Sequence, residues 1–348
     1  MIGAAGARDL IERPPFAMEG ELPLPCLDEA FAGLRLYYAV IGAVELGLFD
    51  RLRVSMTAVD LADALGSRPH EMTLLCEALA DHGLLIREGT AFRNGPEADA
   101  FLAADSPYAI RGMLAFQRRH AERWRELPRL LREGPEVLPR ERFFRHTVIP
   151  SMAEHARCGL VQHVTELVAN LPELREAKTL LDLGGGHGLY SIAFCQRNPD
   201  LRATVFDLPA VTEATKEFIA RYRADRVSIV AGDFNTDPLP GPFDIVFSSS
   251  NPGGKDPRLI PKIAGALRLG GLFLNKQGID SETTDPLGDL EWNLWTFEGV
   301  EKQQSRYTFS HSAPLEEYHR ALKENGLSVL AVVPVDGTSE MTVAQKER

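Results

Sequence analysis

Three acidic residues and a run of glycines carry the chemistry of this chain. Thr179 to Gly188 reads TLLDLGGGHG, in which the apolar Leu180, Leu181 and Leu183 run past Asp182 into a glycine cluster. Such a run reads as a buried strand that stops at a tight turn and opens a helix. Gly184, Gly186 and Gly188 admit backbone angles closed to other residues and let a ligand approach the main chain. The turn stands at the carboxyl end of its strand, where open α/β sheets bind their ligands. A second short strand, 203–206, ends in Asp207, twenty-five residues after Asp182. A carboxylate in that place accepts two hydrogen bonds from a ribose diol. A third strand, 227–230, leads to Asp233 and Phe234, which suit the amino edge and the flat face of an adenine. Each acid alone also reads as a surface turn residue. Three acids at successive strand ends, in step with the glycine loop, point to one nucleoside-bearing ligand.

The glycine spacing selects among such ligands. A dinucleotide fingerprint is G-x-G-x-x-G. Counted from Gly184 its third glycine falls on Leu189, and counts from Gly185 and Gly186 fail too. What stands here is D-x-G-x-G-x-G, which resembles the S-adenosylmethionine (SAM) loop of class I methyltransferases. A fourth strand follows at 243–247. Residues 266–274 (ALRLGGLFL) then read as a helix end, a Gly-Gly turn and a fifth strand.

The elements that position this loop fall on both sides of it. A chain of 348 residues with 44% hydrophobic and 25% charged residues is sized for two soluble domains. A net charge of −11 argues against a nucleic-acid backbone as partner. Cys26, Cys76, Cys158 and Cys195 are scattered, as in a reduced, cytoplasmic chain. No apolar run approaches the length of a membrane span, and no cluster has metal-ligand spacing. Residues 1–27, with four prolines, read as a loosely ordered segment. Residues 30–49 read as a helix, 57–66 as a short helix capped by Thr57, and the stretch after Ser67 as a third helix capped by that serine. Leu84–Ile86 and Ala91–Arg93 flank a Glu88-Gly89 turn, a hairpin. Helix, short helix, helix, hairpin is a winged helix. Its third helix carries His70, Glu71, Glu77, Asp81 and His82 and no Lys or Arg, so it reads as a module that pairs two chains rather than one that binds DNA. In the arginine-rich stretch 109–146, Met113, Phe116, His120 and Trp124 share one helical face, either core or partly pocket. A linking helix from about 151 to 171 leads into the second domain.

With these elements the chain resembles small-molecule O-methyltransferases that carry an N-terminal winged-helix dimerisation domain: acetylserotonin, plant phenolic and bacterial tailoring enzymes. The marks are Glu45-Leu46-Gly47-Leu48-Phe49-Asp50, Gly83-Leu84-Leu85, Asp182-Leu183-Gly184-Gly185-Gly186, Phe206-Asp207-Leu208-Pro209, Gly232-Asp233-Phe234 and the closing Gly337-to-Lys346 tail. The resemblance implies a homodimer formed through the N-terminal domain, SAM as methyl donor and a small-molecule acceptor. The expected fold is an N-terminal, mainly α winged-helix dimerisation domain (28–165) and a doubly wound, Rossmann-like α/β SAM domain (166–348). Cofactor contacts fall to Asp182, Gly184, Gly186, Gly188, Asp207, Leu208, Asp233, Phe234 and Ser248. Trp292, Trp295 and Asn251 are expected at the acceptor, with core packing the competing reading for the tryptophans.

One departure bears on catalysis. Family members carry a His-Asp-Trp segment after the fourth strand, and its His is the general base. Here Ser248 to Asp256 reads SSSNPGGKD, without a His, and Asn275-Lys276-Gln277 stands where the family has a supporting Glu. His311 is the nominated replacement. Lys255, Asp256, His155 and His163 are weaker candidates, and His187 falls to the cofactor. The expected activity is SAM-dependent methylation of a small, aromatic or conjugated acceptor, most simply on oxygen. The alternatives are a SAM-binding relative that has left methylation, and a ligand-sensing winged-helix regulator.

Overall fold

The structure is a computed structural model and describes residues 25–279, 285–298, 300, 302–303 and 311–347. The chain divides into two compact units between Asp105 and Ser106. Most of the segment 1–27 lies outside the described residues; its last three begin a helix.

The first unit opens with α1 (Pro25–Leu46) and continues through β1 (Met56–Thr57), α2 (Ala58–Ala64), α3 (Pro69–Asp81), β2 (Leu85–Glu88) and β3 (Ala91–Asn94). The three strands form a sheet in the order β1-β3-β2, with β2 and β3 the expected hairpin. Thr57 caps α2 by accepting the Asp60 amide at 3.2 Å. Ser67 does not cap α3. Its hydroxyl points back to the Ala62 carbonyl (3.5 Å), and α3 starts on Pro69, whose missing N–H needs no cap.

The second unit begins with α4 (Arg111–Arg125) and β4 (Glu136–Leu138), then α5 (Ile149–His155) and α6 (Val161–Ala169). The expected linking helix is broken between α5 and α6, where Cys158 and Gly159 leave helical angles. An alternation of strands and helices follows: β5 (Thr179–Leu183), α7 (Leu189–Arg197), β6 (Arg202–Asp207), α8 (Pro209–Tyr222), β7 (Val227–Ala231), β8 (Phe243–Ser249), α9 (Ile260–Ala266) and β9 (Leu267–Gly278). The chain closes with α10 (Pro286–Asn293), β10 (Trp295–Phe297), α11 (Leu315–Glu324), β11 (Leu327–Pro334) and β12 (Ser339–Lys346). The unit boundary at 105/106 differs from the expected 165. The intervening helices pack within the second unit: α6 lies against α7, and β4 pairs with β10.

The main sheet has seven strands in the order β11-β12-β9-β8-β5-β6-β7. The five strands β9-β8-β5-β6-β7 are parallel, and β12 runs antiparallel to both its neighbours, β9 and the edge strand β11. Successive residues of β5 face opposite cores: Leu180 packs with Val164, Val168 and Phe194, and Leu181 with Phe206, Ile260 and Tyr318. A strand covered on both faces reads as a continuous apolar run, which is why β5 was legible. The Gly-Gly turn expected before β9 is absent. Leu267 already pairs with Phe243, and the two glycines lie inside the strand at a slip in the β8–β9 register. Gly270 takes φ +78° there, and a Cβ on Gly271 would meet the Asp244 carbonyl at 2.9 Å. The chain leaves β5 for one side of the sheet and returns through β8 on the other, so the ends of β5 and β8 mark the switch point where such sheets bind ligands.

Candidate active site

At the end of β5 the chain turns through three glycines with positive φ: Gly184 (+65°), Gly186 (+53°) and Gly188 (+69°). The Gly184 N–H donates to the Phe206 carbonyl (2.8 Å), and the Thr215 hydroxyl donates to the Gly186 carbonyl (2.6 Å). Gly185 is required by proximity rather than by its angles. A Cβ there would fall 2.5 Å from the carboxyl carbon of Asp182. Asp182 is 1% exposed and accepts the Ser191 hydroxyl at 2.8 Å. Burial, with Asp207 nearby, pushes its carboxyl up to about 7.

The fold brings Asp207 to this loop. One oxygen, Oδ2, accepts the Gly186 N–H (2.8 Å), and Oδ1 accepts the Leu208 N–H (2.7 Å). Burial raises this carboxyl to about 6 against those two hydrogen bonds. The carboxylate is therefore held in one orientation at the switch point, with lone pairs remaining for further donors. His187, in the same loop, is buried. Its Nδ1 accepts the Leu189 amide (3.1 Å), and burial pulls its pKa down to about 4. The imidazole is neutral at ordinary pH and serves the loop's own shape.

Asp233 stands after β7. Its Oδ1 accepts the backbone and side-chain N–H groups of Asn235, and Oδ2 lies 3.7 Å from Arg140. A cavity of about 1130 Å³ opens here, lined by Leu208, Gly232, Asp233, Arg140 and Arg145 among others. Phe234 is turned the other way, buried in the core with Phe206 and Leu259. Ser248 is 2% exposed and accepts the Asn251 amide (2.9 Å). The same Asn251 amide donates to the Leu183 carbonyl at 2.7 Å, and its side chain covers Gly184. Asn251, expected at the acceptor, is thus tied to the glycine loop.

Trp292 and Trp295 do not share a helix. α10 ends at Asn293, and Trp295 begins β10. Both are nonetheless buried together, rings 5.1 Å apart, in a cluster with Phe143 and Phe297. Lys302 places its Nζ 3.7 and 3.8 Å from the two indole ring centres and donates to both tryptophan carbonyls. Burial pulls this lysine down to about 7. Sequence reasoning missed it, because a lone lysine among polar neighbours carries no signal. His120, from the helical face read as core or pocket, is 5% exposed and lies with Nδ1 3.3 Å from Glu291. His311 is exposed, ahead of α11, and the preceding residues 304–310 lie outside the described residues. Among the described residues it makes no hydrogen bond to the loop, and no group of side chains has the makings of a metal site.

Comparison with known proteins agrees with this geometry. The O-methyltransferase domain family matches residues 139–250, and the O-methyltransferase dimerisation domain matches residues 29–104. The chain is 34% identical to the uncharacterized protein MJ0086 of Methanocaldococcus jannaschii, over 93% of this chain and 89% of that one. It is 30% identical to the tetracenomycin polyketide synthesis 8-O-methyl transferase TcmO of Streptomyces glaucescens, over 92% of this chain and 96% of that one. The solved structure of an O-methyltransferase family protein from Burkholderia thailandensis superposes with a TM-score of 0.75 at 23% identity, covering 94% of this chain and 99% of the other. By sequence along nearly its whole length, and by fold, the chain belongs to the O-methyltransferase family with an N-terminal dimerisation domain.

Proposed function

We propose that the chain is a homodimeric, SAM-dependent methyltransferase acting on a small, aromatic or conjugated acceptor, most simply at oxygen. The observation that carries this reading is the junction of Asp207 with the glycine loop, in which one carboxylate is fixed to the Gly186 amide at the switch point of the sheet. The residues present fit the donor. Gly184, Gly186 and Gly188, all at positive φ, set the turn that would hold its methionine end, and Asp207 has acceptor capacity for the ribose diol. Leu208 and Asp233 line the adjoining cavity on the adenine side. Phe234 and Ser248 support this site from within the core rather than by facing a ligand. The donor supplies an electrophilic methyl group, and the protein's task is to hold the acceptor atom in line with it and to receive its proton. Trp292 and Trp295, expected at the acceptor, are 4% and 6% exposed and pack as core here, so the acceptor surface is not taken from them.

Calorimetry tests the cofactor. SAM should bind in the micromolar range and NAD and NADP not at all; no binding of SAM would sink the reading. Turnover of labelled SAM with a panel of phenols and amines then tests the chemistry. A second reading is favoured by one observation, the absence of a His from residues 248–256: a SAM-binding relative that no longer methylates. Tight SAM binding without turnover on any acceptor would support it. A DNA-binding regulator has less behind it, because α3 presents His70, Glu71, Glu77 and Asp81 and no Lys or Arg to a phosphate backbone. Among the described residues no helix is long and apolar enough to cross a membrane. The free thiols Cys76, Cys158 and Cys195 support a cytoplasmic location.

A further inference from the structure

One cation faces both of the acids assigned to the nucleoside. Arg140 stands just past β4, at the start of a helical turn over Arg140–Phe143. Its place is fixed from both sides. β4 before it is paired with β10, and Phe143 after it is buried in the aromatic cluster. The Phe143 amide donates to the Pro139 carbonyl (2.9 Å), which closes the turn around Arg140. From there Arg140 lines the cavity of about 1130 Å³ together with Leu208, Gly232 and Asp233.

The guanidinium reaches toward Asp233. Its Nη1 lies 3.7 Å from Asp233 Oδ2, and the two side chains are 34% and 25% exposed. At that distance the charges act on each other without a hydrogen bond, so neither group is used up by the other. The loop that carries Asp233 is itself tied down. Lys262 of α9 donates to the carbonyls of Phe234, Asn235 and Asp237 at 2.9, 3.0 and 3.0 Å. The guanidinium also acts on Asp207. Burial lifts that carboxyl and the nearby Asp233 adds to the lift, while the Gly186 and Leu208 amides and then the Arg140 charge oppose it. Asp182, from β5, is the other acid coupled to Asp207. Arg145 lines the same cavity, but its charge acts on Glu213 of α8. An ion pair on open surface would contribute little. This one is half-buried, borders a ligand-sized cavity and faces two acids that would accept from one ligand.

We propose that Arg140 is a positioning residue of the donor site: its guanidinium, facing both Asp207 and Asp233, holds the two carboxylates together as acceptors for the ribose and adenine ends of one nucleoside. The inference rests on the methyltransferase reading above. Two carboxylates side by side repel, and the one that is more buried relieves the repulsion by taking up a proton. A protonated Asp207 has less acceptor capacity for the ribose diol. The charge of Arg140 offsets this repulsion, so it acts on the donor through Asp207 and Asp233 and needs no contact with the reacting atoms.

The test measures binding of S-adenosylhomocysteine, the donor without its transferable methyl group, to the full-length protein by calorimetry at pH 6, 7 and 8. Arg140→Gln removes the charge and keeps a polar side chain. Its affinity should fall about three- to tenfold below wild type at pH 6, because Asp207 is protonated more readily, and the gap should close toward pH 8, where Asp207 is ionised in both proteins. Arg140→Lys keeps the charge and should stay near wild type at pH 6. Tryptophan fluorescence checks that both variants are folded. An Arg140→Gln variant that binds as wild type does at every pH would overturn the proposal alone. So would a loss of the same size from pH 6 to pH 8, which would mark a merely structural part for Arg140. A wild-type protein that binds no S-adenosylhomocysteine would overturn the methyltransferase reading, and this proposal with it.

Discussion

At the scale of single residues, two buried carboxyls govern how the site answers to pH. An Asp in the unfolded chain titrates near about 3.9, whereas burial lifts Asp207 to about 6 and Asp182 to about 7. Between those limits the folded chain keeps protons that the unfolded chain has lost, so their contribution to stability falls as pH rises. Buried His187, pulled down to about 4, acts in the opposite sense up to about pH 6.5, so the comparison is between variants: Asp182→Asn, neutral throughout, should lose less thermal midpoint than wild type between pH 5 and about 7, and an unchanged pH profile would contradict the assignment. A diol donating to Asp207 favours its ionised form. Binding of SAM near pH 6 should then release protons, read by calorimetry in buffers of different ionisation enthalpy. Asp207→Ala should weaken binding about tenfold to a hundredfold, the worth of hydrogen bonds to a charged group, and abolish the release. The sequence singled out Asp182 and Asp207 because each breaks an apolar strand, Asp182 just ahead of the glycine cluster and Asp207 at the end of the strand that follows. Arg140 stands in an arginine-rich stretch, and one sequence cannot say that Asp233 lies across from it.

At the scale of elements, the β5–α7 turn depends on room that only glycine leaves. Gly185→Ala would drive a methyl into the Asp182 carboxylate. Overpacking of this kind costs about 1–3 kcal/mol. Because the two groups collide directly, the double variant Gly185→Ala/Asp182→Ala should cost less than the sum of the singles. All three tryptophans, Trp124, Trp292 and Trp295, belong to the second unit, so urea unfolding followed by their fluorescence reports on it. Additive costs would show that the turn relaxes independently of Asp182. Where sequence and structure part, the cause is long-range pairing. The spacing of Trp292 and Trp295 suits a helix, yet Trp295 is drawn into a strand by Glu136, some 160 residues earlier. The Gly270-Gly271 pair suits a turn, yet β8 pairs with Leu267 before it and Leu272 after it, so it stays inside one strand as a slip in the register. Local propensity cannot foresee partners supplied by the rest of the chain.

At the scale of the whole molecule, α1 is the element that the single chain leaves incomplete. Leu27, Phe31, Leu34 and Tyr38 follow a spacing of four, three and four residues along it, and they are 45%, 53%, 54% and 50% exposed. That is the seam of two packed helices with its partner missing. Every residue from 27 to 35 is exposed, so the first half of α1 has no core of its own and would be a marginal helix in water. Yet the chain carries a net charge of −11, which disfavours close approach of two copies unless apolar burial outweighs it. The sequence suggested pairing from the lack of basic residues on α3; the apolar seam lay in the turns before Leu36, which that reading left unexamined. The dimerisation domain should therefore pair through α1. Phe31→Glu/Leu34→Glu adds two like charges to the middle of the seam on each copy, and light scattering should find monomers where wild type gives dimers. Helical circular dichroism should fall slightly, as the unsupported turns of α1 fray, while the tryptophan fluorescence of the second unit stays unchanged. If the variant stays dimeric, the two copies meet through another surface and the exposed seam needs a different occupant; if wild type is itself monomeric, the seam is covered by something other than a second copy.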